Sequence, residues 1–205
     1  MEKKLTNIQL NRRNEIIFAA EKLYKKMGFK DITIKDIAKE TTFTRASIYN
    51  YYETKEEIFL DLYTKEYVKW VEELEILLDS KEKLTKKIFI EYVSRSLEKR
   101  EQLLKLMSMN NYDMEANSRI EFLVEFKKAF INGINIFSKL LYKYNKKYIN
   151  DSADRITYSF FPFIYGLYPY SHVTTKQKKA MEKAGHKWQE NTIYKLTYNF
   201  LNEIL

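Results

Sequence analysis

Residues 31–58, DITIKDIAKETTFTRASIYNYYETKEEI, concentrate hydroxyl, ammonium, guanidinium and phenol groups. Those groups donate hydrogen bonds and carry positive charge, which suits contact with a polyanion. The segment reads as two short helices joined by a tight turn. The second lays small, polar and phenolic side chains along one face, the pattern of a helix-turn-helix that reads DNA.

The elements that must hold these groups announce themselves through their caps. Thr33 can accept the free N–H groups of a first turn while Asp36 reaches back, and Ile32 and Ile37 are spaced as a hydrophobic staple. The same logic recurs at Thr44 and Ser47, with Phe43 and Ile48 as the staple, and again at Thr54 and Glu57, which open a longer helix. Helices of two turns are marginal alone and need packing partners. The expected supports are a helix at 7–27 and the one beginning at Lys55. Ile16, Ala20, Leu23 and Met27, widened by Ile17 and Tyr24, make the apolar stripe of that first helix, and Gly28 is placed as its left-handed C-terminal glycine. Arg12 and Arg13 lie off the stripe, either free for phosphate or simply solvated.

Residues 12–60 resemble the N-terminal domain of the tetracycline-repressor (TetR) family of transcriptional regulators. The resemblance is carried by Ile37-Ala38, by Ile48-Tyr49-Asn50-Tyr51-Tyr52 and by Thr54-Lys55-Glu56. One departure is Thr42, where the family usually has glycine in the turn; a non-glycine residue there is costly if the position needs positive φ. The resemblance implies that Tyr49, Tyr51 and Lys55 contact phosphates, which orient a protein without reading sequence. It also implies that Thr44, Arg45, Ala46 and Ser47 open the recognition helix and face base edges in the major groove. Arg45 suits a bidentate contact to guanine, and Ala46 a thymine methyl. Lys35 can reach a base or a phosphate, Thr33 can donate to phosphate as well as cap, Ser47 can cap only, and Tyr52 is expected in the core.

Composition agrees. The chain has 205 residues, 45% of them hydrophobic, enough to bury a core as one unit or two. Four glycines and two prolines leave little punctuation for a β-protein, so an all-α fold is expected. Residues 1–56 hold 12 Lys and Arg against 8 Asp and Glu, whereas the other 149 hold 24 against 20. The excess positive charge is therefore more than twice as dense in the segment expected to meet DNA. The absence of cysteine excludes a disulfide framework and fits a reducing cytoplasm. MEKKLTNIQL lacks the apolar run of a signal peptide, and no stretch approaches the roughly 20 apolar residues of a membrane span. A cytoplasmic location is expected.

The expected division is a three-helix helix-turn-helix domain at 1–55 and a larger helical domain at 56–205 for effector binding and dimerisation. Helices are expected near 55–78, 81–98, 100–110, 117–148, 152–170, 175–184 and 188–204, the first running unbroken out of the DNA reader. Ile156–Tyr170, ITYSFFPFIYGLYPY, is apolar on every side and so must be covered on every side. Ile156, Ser159, Phe160, Phe163, Leu167 and Tyr170 make one face; Tyr158, Phe161, Tyr165 and Tyr168 make another. One side is expected to meet the chain's own core and the other a second subunit, with Gly166 allowing close approach and Pro162 bending the helix. A membrane-interface helix is disfavoured by the scarcity of flanking basic residues. The last helix supplies a matching surface through Ile193, Leu196, Phe200 and Ile204. Together these predict a four-helix homodimer interface, as the resemblance also implies. Its two recognition helices would then fall about 34–36 Å apart, or farther, on a near-palindromic double-stranded operator.

Family resemblance further implies a small-molecule effector inside the C-terminal domain that releases the operator, as a repressor would. Candidate wall residues are Trp70, Tyr92, Met107, Met109, Phe122, Phe126, Phe130, Tyr158, Phe161 and Tyr165, all of which also suit plain core. The 17 Tyr and 13 Phe of the chain favour an apolar or aromatic effector. Nothing in the sequence suggests an enzyme, a cofactor or a metal. His172 and His186 lack metal-ligand spacing, acidic pairs such as Glu56-Glu57 diverge around a helix, and no glycine-rich phosphate loop occurs. The alternative function is a helical interaction module that dimerises without specific DNA recognition.

Overall fold

In the computed structural model, which describes residues 6–109 and 111–205, Thr6 and Gln9 close a capping box that opens α1 (Asn7–Tyr24). A 3-10 turn at Phe29–Asp31 follows, then α2 (Ile34–Lys39), α3 (Arg45–Ile48) and the long α4 (Lys55–Asp79). Beyond them come α5 (Lys86–Glu98), α6 (Glu101–Met107), α7 (Asn111–Ala116), α8 (Ile120–Tyr144), α9 (Asp151–Ser171), α10 (Thr175–Lys183) and α11 (Ile193–Ile204). No strand occurs among the described residues, and none of their helices is long and apolar enough to cross a membrane. The fold is all-α. Residues 1–5 of the N-terminal stretch and residue 110, the expected end of one helix, lie outside the described residues.

Two units divide the chain. One spans Met1–Lys65 and Asn110–Lys128, the other Glu66–Met109 and Ala129–Leu205. These compact units are not the division expected at 55/56: the first runs on to Lys65 and takes in residues up to Lys128 from later in the chain. Both α4 and α8 contribute their opening residues to the first unit and the remainder to the second.

Capping chemistry sets the short helices. The Thr33 hydroxyl accepts from the Asp36 N–H at 3.2 Å while the Asp36 carboxylate accepts from the Thr33 N–H at 3.3 Å, completing the box. Ile32, Ile37 and Ile48 beneath these caps are fully buried. Thr44 accepts from the Ser47 N–H at 3.3 Å and Thr54 from the Glu57 N–H at 3.1 Å. The Glu57 carboxylate, however, takes the Glu53 N–H at 2.7 Å, one residue earlier than a box requires.

Several expectations are corrected. Gly28 is not a left-handed cap: it is extended, at φ −74° and ψ 153°. Instead α1 closes at Tyr24 by tightening, with the Lys26 and Met27 N–H groups both donating to the Leu23 carbonyl at 2.9 Å. Thr42 is unstrained, because Asn150 is the one non-glycine residue with positive φ among those described. The Thr42 N–H donates to the Glu15 carboxylate at 2.5 Å, which satisfies the turn without glycine. The expected helix at 117–148 runs as α8 from Ile120 to Tyr144, and a short helix, α7, occupies the gap expected before it. The Asn117 and Ser118 side chains bond back to the carbonyls of Asp113 and Met114 at 2.8 and 2.7 Å and end α7. Threonine caps at Thr85 and Thr192 start α5 and α11 five residues later than expected.

In the second unit the core is aromatic. The Trp70 indole donates to Ser96 at 3.1 Å, and Phe137 stacks on Phe160 with centroids 4.4 Å apart. On α9 one stripe is buried, comprising Ala153, Thr157, Phe160, Phe161, Ile164 and Leu167. This stripe draws from both expected faces, so the two do not separate as expected. Tyr158 and Tyr170 stand 63% and 68% exposed. Gly133 allows a close approach in this unit: a Cβ there would lie 2.8 Å from the Tyr67 ring and 3.1 Å from Val71. Both neighbours are buried and packed. Gly133→Ala is therefore expected to destabilise the protein by about 1–3 kcal/mol through overpacking, despite the better helix propensity of alanine. A denaturant midpoint at or above that of the unsubstituted chain would contradict the close approach.

Candidate nucleic-acid interface

The exposed face of the first unit is built on α2, α3 and the turn that follows. Thr44, Arg45 and Ala46 are exposed at the start of α3, Ser47 is half-buried, and Tyr49 is 43% exposed. Ile48, between them, is fully buried and anchors the helix. Arg45 donates through Nη2 to the Tyr49 hydroxyl at 2.8 Å, and its guanidinium carbon lies 5.5 Å from the Tyr49 ring centroid. One turn of helix separates the two, so their side chains meet above the same surface. The arginine is thereby held extended along the face while its remaining donors stay available.

Not every expected contact residue is equally disposed. Thr33 donates its hydroxyl proton to the Asp36 carboxylate at 2.6 Å, so capping occupies it, whereas Lys35 is exposed in the first turn of α2. Thr44 and Ser47 hydroxyl oxygens are 3.1 Å apart, so both take part in the cap of α3. Tyr51 is half-buried. The Lys55 ammonium donates to the Phe29 carbonyl at 2.7 Å and sits 4.1 Å from the Phe29 ring centroid; burial lowers its pKa. Lys55 thus joins the start of α4 to the 3-10 turn, in addition to any phosphate contact.

Arg13 is not free for phosphate. Its Nε donates to the Asp61 carboxylate at 2.9 Å, and Nη2 reaches Glu125 at 3.2 Å, with the side chain only 16% exposed. Burial opposes its charge, but Asp61, Tyr52 and Glu125 together outweigh that and the guanidinium pKa is raised. Tyr52, buried as expected, donates to the same Asp61 oxygen at 2.5 Å; burial and the neighbouring carboxylate push its hydroxyl pKa well up. Arg12 remains exposed, its guanidinium 6.0 Å from the Phe43 ring centroid.

Sequence reasoning missed Arg119 and its acceptor. Glu57 is 1% exposed and accepts from the Arg119 Nε at 2.7 Å, Nη2 at 2.8 Å and backbone N–H at 3.0 Å. The same Nη2 donates to the Tyr51 carbonyl at 3.0 Å. Thr54 donates its hydroxyl to the Asn117 carbonyl at 2.8 Å, a second tie from the same stretch. Partners 62 and 63 residues apart leave no local pattern by which to find them. Tyr51 and Arg119 share the wall of an open cleft of about 250 Å³ with Arg13 and Phe122.

The residues expected around an effector are scattered. Phe122 and Phe126 belong to the first unit, stacked on Tyr52 at 5.4 Å and packed on Tyr63 at 4.6 Å. Trp70, Phe130 and Phe161 do come together, with Phe161 6.1 Å from Trp70 and 5.7 Å from Phe130. Met107 is buried, Tyr165 is half-buried, and the Tyr92 hydroxyl donates to the Glu73 carbonyl at 2.8 Å. Tyr158 faces solvent instead.

The fold and the exposed face of α3 define a helix-turn-helix DNA-binding regulator. Residues 16–62 match the family model of bacterial regulatory proteins of the tetR family, and residues 64–188 match a tetracyclin repressor-like C-terminal domain. The chain belongs to the TetR family of transcriptional regulators. An uncharacterized HTH-type transcriptional regulator of Bacillus subtilis, YfiR, is 37% identical over 60 residues, which is 29% of either chain. The chain thus spans under a third of the length of that relative. Among solved structures, the fatty acid degradation regulator FadR from Bacillus halodurans superposes with a TM-score of 0.62 at 14% identity, over 99% of this chain and 97% of that one. FadR from Bacillus subtilis, in complex with stearoyl-CoA, superposes with a TM-score of 0.60 at 17% identity, over 93% and 96%. At such identities these two establish a shared fold.

Two outcomes follow from the buried carboxylates. Burial pushes the Glu57 carboxyl up, but donation from Arg119 and from the Arg119 and Glu53 backbones outweighs it and holds its pKa below the ordinary value. Its contribution to stability is therefore complete above an ordinary glutamate pKa of about 4.3 and lost as pH falls through the lower folded value. Glu57→Gln should lower the melting temperature at neutral pH and flatten its fall in acid; an acid limb as steep as before would contradict the pairing. Tyr52→Phe should cost about 1–2 kcal/mol, because it removes a donor from buried Asp61, with denaturant titration as the check.

Proposed function

We propose that the protein is a homodimeric, sequence-specific regulator, acting as a repressor, that reads a near-palindromic operator through α3. What carries the reading is the outer face of α3: capped by Thr44, anchored by buried Ile48, and presenting Arg45, Ala46 and Tyr49 outward. Arg45 reads a guanine edge, Ala46 meets a thymine methyl, and Tyr49, Tyr51 and Lys55 engage phosphates, with Lys35 and Thr33 at the edge of the footprint. The protein binds and releases; it is not an enzyme, and its place is the cytoplasm beside the DNA.

Dimerisation is assigned to α9 and α11. Phe160, Leu167 and Ile193 are buried in the chain's own core and are withdrawn from the expected interface. The surface that remains is Phe163 stacked on Phe200 at 4.0 Å, with half-buried Leu196 and Ile204, and Gly166, which has open space above it. Exposed Tyr158 and Tyr170 extend it. An aromatic pair at the surface of a bundle, beside a glycine that admits a neighbouring helix, fits a second copy of the chain.

The effector is assigned to the second unit, near Trp70, Phe130 and Phe161, and is apolar. Because one relative of the same fold holds stearoyl-CoA, a long acyl thioester is the first compound to try. In vitro selection from random duplexes with the full chain should enrich an inverted repeat. Arg45→Ala should then weaken binding by about 1–3 kcal/mol, roughly five- to 150-fold, and relax one position in each half-site. Uniform retention of every sequence would sink specific reading in favour of an interaction module. In sedimentation, Phe163→Glu should convert a dimer to a folded monomer and abolish binding to the full repeat. Stearoyl-CoA is expected to lower affinity for the enriched duplex, and indifference to it would remove acyl thioesters as the effector class.

A further inference from the structure

The DNA-reading face lies on residues 33–55, yet the group that fixes its trailing end comes from far along the chain. Arg119 immediately precedes α8. Its Nη2 bridges two acceptors, the Tyr51 carbonyl at 3.0 Å and the Glu57 carboxylate at 2.8 Å, while Nε and the backbone N–H hold the other Glu57 oxygen at 2.7 and 3.0 Å. Glu57 in turn accepts the Glu53 N–H at 2.7 Å. A single guanidinium thus spans the turn between α3 and α4, gripping the residue that leaves the recognition helix and the first turn of the helix that follows. The guanidinium carbon also lies 5.2 Å from the Phe122 ring centroid, which limits how the fork can rotate. Only a planar fork with several donors can serve all these acceptors together; an ammonium on a flexible stem cannot.

We propose that Arg119 is a positioning residue for DNA reading, which sets the phenol of Tyr51 against the phosphate backbone by holding the Tyr51 carbonyl to Glu57. The proposal rests on the DNA-reading function proposed above. A short helix has little stiffness of its own, so the direction in which Tyr51 leaves it is decided by whatever grips its backbone. Arg119 itself is engaged by Glu57 and, at 3.5 Å, by Glu53. It acts through Tyr51 and not as a further phosphate ligand.

The test uses the full chain and a duplex enriched from a random pool by the unsubstituted protein, with affinity read by fluorescence anisotropy across a range of salt. Arg119→Lys keeps a cation opposite Glu57 but loses the fork. It should melt within a few degrees of the unsubstituted protein and bind the duplex at least fivefold more weakly. Arg119→Ala combined with Glu57→Gln, which avoids a stranded buried carboxylate, should lose at least tenfold. Neither should change the slope of log affinity against log salt, since no phosphate contact by a charged group is removed. In a Tyr51→Phe background, Arg119→Lys should cost less than about twofold, because the phenol it places is already gone. Full affinity in Arg119→Lys overturns the proposal, as do losses that simply multiply with those of Tyr51→Phe. A salt slope reduced by about one also overturns it, by making Arg119 a direct phosphate contact. A chain that enriches no duplex fails at the proposed function itself; a chain that binds normally with Arg119 replaced fails here alone.

Discussion

Two buried carboxylates one helical turn apart organise the first unit. Glu57 and Asp61 lie on the same side of α4, 1% and 5% exposed, and neither can remain there as an unpaired charge. Each takes an arginine from a different part of the chain: Asp61 pairs with Arg13 of α1, and Glu57 with Arg119 ahead of α8. The two guanidinium carbons lie 5.1 and 5.2 Å from the centroid of the Phe122 ring. That ring stacks on Tyr52, whose hydroxyl closes the circuit on Asp61. Leaving either carboxylate without its partner would be expensive, whereas the assembled set gives these segments few alternative arrangements. Specificity of arrangement is the best-attested use of buried ionic groups, and an α3 of four residues needs it.

The starts of the short helices were legible because capping is local. Thr33, Thr44 and Thr54 each advertise a first turn within three residues of themselves, and each caps where expected. Gly28 misled for an equally physical reason. A glycine after a periodic stripe can end a helix, but α1 had already closed on the Leu23 carbonyl, leaving Gly28 to start the 3-10 turn in ordinary extended geometry. The short helix ahead of α8 was missed, since 111–116 fell in an expected gap, and half of what ends it is distant. Asn117 and Ser118 cap α7 locally, but the Asn117 carbonyl and the Arg119 N–H are claimed by Thr54 and Glu57. Without those partners in view, residues 117–119 read as the first turn of α8 and not as the junction between two helices.

The aromatic helix α9 shows the opposite limitation. Its sequence is apolar on nearly every side, so periodicity could not say which stripe faces inward. Burial selects Phe160, Phe161, Ile164 and Leu167, which are contiguous on one side because they recur at helical spacing. Exposed Tyr158 and Tyr170 carry hydroxyls that water can satisfy, so their exposure is tolerable in a way that exposure of Phe160 would not be. Likewise, Arg13 looked like surface charge only because its apolar stem and its two carboxylate partners were not visible together. An arginine beside an isoleucine stripe is as ready to be buried with a counter-ion as to meet a phosphate.

The residues proposed to meet DNA are thus those with the least structure of their own. Arg45 and Tyr49 meet each other above the surface, and the caps that shape their helix are hydroxyl bonds exposed to water. Exposed hydrogen bonds of this kind contribute little net stability. The geometry of the reading face is therefore borrowed from beneath: from Ile37 and Ile48 in the core and from the paired carboxylates of α4. A rigid foundation under adaptable side chains is what major-groove reading asks for, since backbone placement must be settled before the side chains can discriminate between bases. It follows that substitutions in the foundation should weaken all sequences together, while substitutions at Arg45 or Ala46 should alter which sequence is preferred.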